Sequence, residues 1–188
     1  VAATQAIAAP APDKPAPLEA DVDKTILKYA ILNGGLELLP ESISTLAILP
    51  LQMKLVYDIG VQYGYSLDKG HIKEFLAVLG VGGASQMVEG IARKLFGSFT
   101  KRIGGHMIGD MTEAAAGAAL TFATTYGLGV AAKKYYASGR QLSMADVKGL
   151  FSKSTEEAKT LYGRYAGDVA QSARTTNVTN LLSMVRGR

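Results

Sequence analysis

The sequence predicts an all-α protein, a helical bundle with a central Gly/Ala-rich antiparallel hairpin of helices. Three observations predict it. Apolar residues recur at i, i+3, i+4 spacing along most of the 188 residues, without the sustained alternation that marks strands. Glycine, proline and capping residues punctuate these runs at helix-length intervals. Finally, "AAAGAALTFATTYGLGVAA" (Ala114 to Ala132) holds nineteen residues without a charge, fenced by Glu113 and by Lys133-Lys134.

Composition narrows the function. The chain is 48% hydrophobic and 19% charged, with 21 glycines, no tryptophan and no cysteine. Disulfides, a thiolate nucleophile and a cysteine-ligated zinc site are therefore excluded. Net charge is +4, and the basic residues are scattered rather than gathered into a stripe with interleaved aromatics, so a nucleic-acid partner is not expected. Small clusters at Lys101-Arg102, Lys133-Lys134 and Arg186/Arg188 suit helix ends or an anionic membrane surface.

Residues 1–20 are Ala/Pro-rich without an apolar period and read as a flexible tail, with no basic stretch before an apolar run to suggest a secretory signal. A helical domain is expected over 21–170. Asp21 or Asp23 can cap a first helix, which places Ile26, Tyr29 and Ala30 on one face, and Asn33-Gly34-Gly35 is expected to stop it. "LELLPESISTLAILP" carries Pro40 and Pro50 and predicts a short helix and a bend. A helix opening at Pro50 places Gln52, Val56, Ile59 and Tyr63 on one face and pairs Lys54 with Asp58; Gly64 ends it. Ser66 or Asp68 then caps a helix loosened by five glycines. The uncharged stretch from Ala114 follows, closing at Tyr135-Tyr136 and Gly139. Ser143 or Asp146 caps a last, charged helix with Val147, Leu150, Phe151 and Leu161 inward. Residues 171–188 read as a tail in which Leu181, Leu182 and Val185 make one amphipathic turn.

No catalytic constellation stands out, and no enzyme or cofactor is expected. His106, Asp110 and Glu113 share a helical face, a spacing that could hold a metal; the plainer reading is a polar helix start, acids near an N-terminus offsetting the macrodipole. His71 has no evident role. There is neither a G-x-S-x-G nor a G-x-x-x-x-G-K-[ST] motif.

The small residues say more. Ala115, Ala119, Ala123, Gly127 and Ala131 recur every four residues and leave a groove for a close helix. The preceding helix offers Gly80, Gly83, Ala84 and Gly90, so the expected hairpin sets Gly80–Gly90 against Ala115–Ala131, a surface equally suited to self-association. The nineteen-residue stretch is about 28 Å long as a helix, near the ~30 Å hydrocarbon core of a bilayer. Its strong insertion formers are Leu120, Phe122, Leu128 and Val130, together giving only about −2 kcal/mol. Fourteen uncharged residues, Phe75 to Val88, make its partner about 21 Å long, short for a span. The membrane expectation is thus surface contact or partial insertion, with Lys133, Lys134, Tyr135 and Tyr136 at the interface. The other expectation is that copies of the protein cover the helix.

"LPLQMKLVYDIGVQYGYSLDKGHIKEFLAVLG" (Leu49 to Gly80) resembles the YcjF-like family, through Pro50-Leu51-Gln52, Met53, Tyr57-Asp58-Ile59, Tyr63-Gly64 and the Leu67 turn. The family's order continues through "GVAAKKYY" and "GRQLSMADVKGLF", so the resemblance covers about Leu32 to Leu161. It implies a non-enzymatic helical module, associated with the cytoplasmic side of a bacterial inner membrane. In that family the domain often follows a P-loop GTPase, which is absent from this sequence, so the resemblance also implies a separate GTPase partner. "GGHMIGDMTE" is more polar than the resemblance leads one to expect, which argues against full insertion.

Overall fold

The computed structural model describes residues 17–81 and 113–186, of which 84% are helical with no strand among them. The all-α expectation is met. The described helices are α1 (Glu19–Leu36), α2 (Glu41–Gln62), α3 (Lys69–Leu79), α4 (Glu113–Ala137), α5 (Met144–Thr175) and α6 (Val178–Arg186).

α4 is the axis of the bundle. α1 runs antiparallel to it, with Asp23 beside Lys133 at one end and Gly34 beside Ala118 at the other. α5 is also antiparallel, with Gly127 against Thr155 and Phe122 against Tyr162. α2 lies parallel to α4, taking Gln52 to Thr125 and Gly60 to Tyr136. The core has two parts strung along α4. Ala118, Phe122 and Ala123 meet Ala30, Ala158 and Val169 near its start. Leu128, Ala131, Ala132, Tyr135 and Tyr136 join residues of α1, α2, α3 and α5 further on.

Several helix boundaries follow the capping residues. Asp68 caps α3 by accepting the backbone N–H of His71 at 3.0 Å. Ser143 and Asp146 form a reciprocal capping box at α5, where each side chain satisfies the other's exposed backbone N–H. Gly80 closes α3 in the left-handed region at φ 75°. The inward residues Val147 and Phe151 of α5 are buried, as are Ile26, Tyr29 and Ala30 of α1. α5 continues to Thr175, and α6 sinks Leu181 into the core.

Two expectations are corrected. α1 does not stop at Asn33-Gly34-Gly35 but runs through them to Leu36, and its N-cap is Leu18 rather than an aspartate. Both glycines are where other backbones come close. A Cβ on Gly34 would lie 3.2 Å from the Ala118 carbonyl oxygen, and one on Gly35 would lie 3.0 Å from both Val169 O and Ala173 N. α2 is not broken at Pro50 but carries it internally. Pro50 is half-buried there and leaves the Leu46 carbonyl without its i+4 donor, a local cost of about 3 kcal/mol that the packing of α2 outweighs. The expected partner of the Ala115–Ala131 face falls mostly beyond the described residues. Gly83, Ala84 and Gly90 lie outside the described residues, Gly80 ends a helix, and the small residues of α4 pack on α1 and α5.

Glycines in the helices therefore divide into two kinds. A Cβ on Gly127 would overlap Thr155 Oγ1 and sit 2.9 Å from the Thr155 backbone nitrogen, whereas one on Gly149, Gly163 or Gly167 would meet nothing within 4 Å. Gly127→Leu is expected to cost about 3 kcal/mol or more, because the α4–α5 backbones must separate. Gly149→Ala and Gly167→Ala are each expected to raise stability by about 0.5–1 kcal/mol through helix propensity alone. Urea unfolding followed by circular dichroism checks all three.

Candidate functional site

α4 carries nearly all the residues the sequence singles out, and the fold sorts them by depth. Ala119, Ala123, Gly127 and Ala131 are buried, and Ala115 is half-buried. Phe122 and Leu128 are fully buried, Lys133, Tyr135 and Tyr136 nearly so. Leu120 and Val130 are half-buried, and Lys134 alone of the membrane-contact set is exposed. Of the expected interface cluster Lys133–Tyr136, three of the four side chains meet protein in this fold. Phe122 and Leu128 are core side chains.

The C-terminal half of α4 is locked from three sides. Tyr135 and Tyr136 pack on Phe75 of α3 with ring centroids 5.4 and 6.5 Å apart, and Tyr136 lies 5.3 Å from Tyr65. Burial pushes the Tyr136 phenol well above its usual range, with the nearby Arg140 charge only partly opposing it. Arg140 sits over the Tyr65 ring at 5.1 Å, a cation–π contact.

Lys133 is a nearly buried charge, its side chain 8% exposed. It donates to Asp23 Oδ1 at 2.7 Å and pairs with Glu19 Oε2 at 3.3 Å. Burial pulls its pKa down, but the hydrogen bonds and charges of Asp23 and Glu19 outweigh burial and leave it above the ordinary lysine value. A second tie between helices joins Tyr29 of α1 to Asp58 of α2 at 2.6 Å, with Lys54 on the same carboxylate at 3.0 Å. Burial first, and then this bond and charge, push the Tyr29 phenol far up.

At mid-height Thr125 Oγ1 accepts from Gln52 Nε2 at 3.1 Å and from Asn33 Nδ2 at 3.3 Å, so one buried hydroxyl links α1, α2 and α4. Asn33 Oδ1 and Thr155 Oγ1 are buried without a hydrogen-bond partner among the described residues.

The N-terminal half of α4 is different. Ala115, Ala116, Gly117, Leu120, Thr121 and Thr124 remain half-buried. Their neighbour is Glu37, which accepts from Thr121 Oγ1 at 3.2 Å and lies where a Cβ on Gly117 would come to 3.0 Å of its side chain. This stretch is the part of α4 that the other described helices leave most accessible.

Among the described residues no group of three or more His, Cys, Asp or Glu is placed to hold a metal. His106 and Asp110 lie outside those residues, as does the side chain of Glu113. His71 pairs its ring with Asp68. No protein-family model matches the chain, and no curated protein or solved structure matches it.

The Lys133 cluster yields a test. Asp23→Asn leaves the buried ammonium with Glu19 as its one remaining acid and is expected to cost about 1–3 kcal/mol. Lys133→Met keeps the apolar stem and leaves two exposed acids in water, so its cost is expected to stay under about 1 kcal/mol. A lysine pKa raised by folding contributes stability that is complete below the unfolded lysine value, about 10.4, and vanishes as pH climbs through the folded value. Wild-type denaturation midpoints should therefore fall in alkali above about pH 10 more steeply than those of Lys133→Met.

Proposed function

We propose that this chain is a non-enzymatic association module that assembles with copies of itself through the N-terminal half of α4. The observation that carries the reading is the contrast along one helix. From Thr125 to Tyr136 α4 is mostly buried among α1, α2, α3 and α5, with Tyr126 and Val130 half-buried and Lys134 exposed, whereas Ala116, Leu120 and Thr124, one turn apart, stay half-open. A row of small and apolar residues leaves room for a second helix to come close. The absence of a catalytic motif in the sequence agrees with a role in assembly.

A second reading keeps the membrane. Ala114–Ala137 is long and apolar enough to cross a bilayer, although half of its most apolar window is buried inside the protein. The resemblance to the YcjF-like family, with its bacterial membrane setting and its GTPase neighbour, belongs with this reading, and both a lipid contact and a GTPase partner rest on that resemblance.

Leu120→Asp and Phe122→Asp separate fold from assembly. Leu120 is half-exposed, so Leu120→Asp should keep the helical signal and shift the sedimenting species to the monomer. Phe122→Asp places a carboxylate in the core and should unfold the chain, a cost beyond about 3 kcal/mol. Sedimentation velocity of the intact chain, with and without vesicles, reads both effects. If Leu120→Asp leaves the particle size unchanged, self-association through α4 is wrong; if it abolishes co-flotation with vesicles instead, the membrane reading takes its place.

A further inference from the structure

α2 is apolar on two sides, and the fold uses only one. Ala47, Leu51, Leu55 and Ile59 are buried in the core. Leu46, Pro50, Met53 and Tyr57 stand at i, i+4, i+7, i+11, with Leu46 64% and Tyr57 41% exposed and Pro50 and Met53 half-buried, Met53 also touching the core. That ridge runs about 17 Å, or three helical turns. Between α2 and α3 it borders a groove of about 610 Å³, lined also by Leu67 and Ile72 and by Met184 of α6. Met184 is itself 38% exposed. A single exposed apolar residue needs no explanation, but a ridge aligned with a concave apolar floor does.

The rim of the groove is basic. Lys54, Lys69 and Lys73 line it against one carboxylate, Asp68. Asp68 is already committed to the backbone N–H and the ring of His71. Lys54 is held by Asp58, while Lys69 and Lys73 form no ion pair among the described residues. The surface thus presents an apolar trough with two uncommitted ammonium groups along the α3 side.

We propose that this groove binds an acidic amphipathic helix of a partner protein. A trough of this kind receives apolar side chains at i, i+3/i+4 and i+7, and the three-turn ridge matches that length. Carboxylates on the partner's flanks would meet Lys69 and Lys73. Concavity favours a helix over a flat lipid surface, which would touch the rim and leave the floor empty. The site is on a different helix from the α4 surface and stands independently of it.

The probe is a capped synthetic helix with Leu at i, i+3 and i+7 and Glu along both flanks, beside a twin in which every Glu is Lys. Fluorescence anisotropy with the full chain should show the Glu peptide binding at least tenfold tighter than the Lys twin, with a Kd tighter than about 1 mM and weakening as salt rises. Lys69→Glu/Lys73→Glu, both exposed and remote from the core, should stay folded and reverse the preference between the twins. Met53→Asp should abolish both. Equal binding of the twins, no binding at that threshold, or a preference unchanged in the double variant would each overturn the proposal. So would two other results: flotation with phosphatidylglycerol vesicles that depends on Lys69 and Lys73 while neither peptide binds, or a dimer dissolved by Tyr57→Asp. The first would make the surface a lipid contact, the second a contact between copies of the chain.

Discussion

The bundle depends on helix backbones coming closer together than ordinary side chains allow. α1 meets α5 at Gly35, where the Val169 carbonyl would be 3.0 Å from a Cβ, and α1 meets α4 at Gly34 and Ala118. α4 meets α5 at Gly127, where Thr155 fills the notch that the missing side chain leaves. Ile26 fills a second notch at Gly129, its Cγ2 2.7 Å from where a Cβ would stand. Each such glycine costs about 0.5–1 kcal/mol of helix propensity relative to alanine. Close packing of the flanking apolar side chains, at about 25 cal/mol per Å² of area removed from water, outweighs that cost only while the backbones stay in contact. Tight crossings also fix the order of depth along α4, and hence which of its residues can be offered to a partner.

Close crossing brings a polar cost, and the fold meets it at two levels. At mid-height a threonine hydroxyl receives two amide donors, so that three helices share one buried acceptor. A neighbouring Asn33 oxygen remains unmatched among the described residues, a penalty of about 1–3 kcal/mol for a buried polar atom. Such a node favours one register of α1, α2 and α4 over its neighbours, since a slip of one turn would strand all three side chains. Near the end of α4 the charge of Lys133 is instead matched by exposed acids of α1, Asp23 and Glu19. The two ties lie at different heights along the same pair of helices.

Much of the fold was legible in the sequence because it follows from local rules. Ser143 with Asp146, and Asp68, mark boundaries that a capping argument finds without tertiary knowledge, whereas Gly80, read as one of five glycines loosening a continuing helix, closes α3. The inward faces of α1 and α5 follow from apolar period. What was not legible came from tertiary context overriding local preference. Asn33-Gly34-Gly35 reads as a stop in isolation, yet the same residues are needed where α1 touches α4 and α5. Pro50 reads as a helix start, yet α2 passes through it. The packing of the α4 small-residue face on α1 and α5 could not be read from spacing, because in α5 it is Thr155 and not a glycine that meets Gly127. Asp23 was legible only as a possible cap and Gln52 only as one residue of a helix face, and Thr125 carried no signal, for a polar residue in a helix gains its meaning from what it faces.

The arrangement of α4 also bears on whether lipid could hold it. Its large apolar and aromatic side chains, Phe122, Leu128, Tyr135 and Tyr136, point inward and are already covered. The half-open positions are mainly Ala, Gly and Thr, with Leu120 and Val130 the strong insertion formers among them. Two such residues supply about −1 kcal/mol at most. Drawing the buried residues into lipid would require α4 to leave α1 and α5, exposing Gly34, Gly35 and Thr155 along with the Lys133 ammonium. A helix can therefore satisfy a length-and-composition test for a membrane span and still have its apolar side chains committed to protein. What decides between the two is which residues face outward, and in α4 those are the small ones, suited to a close helical neighbour.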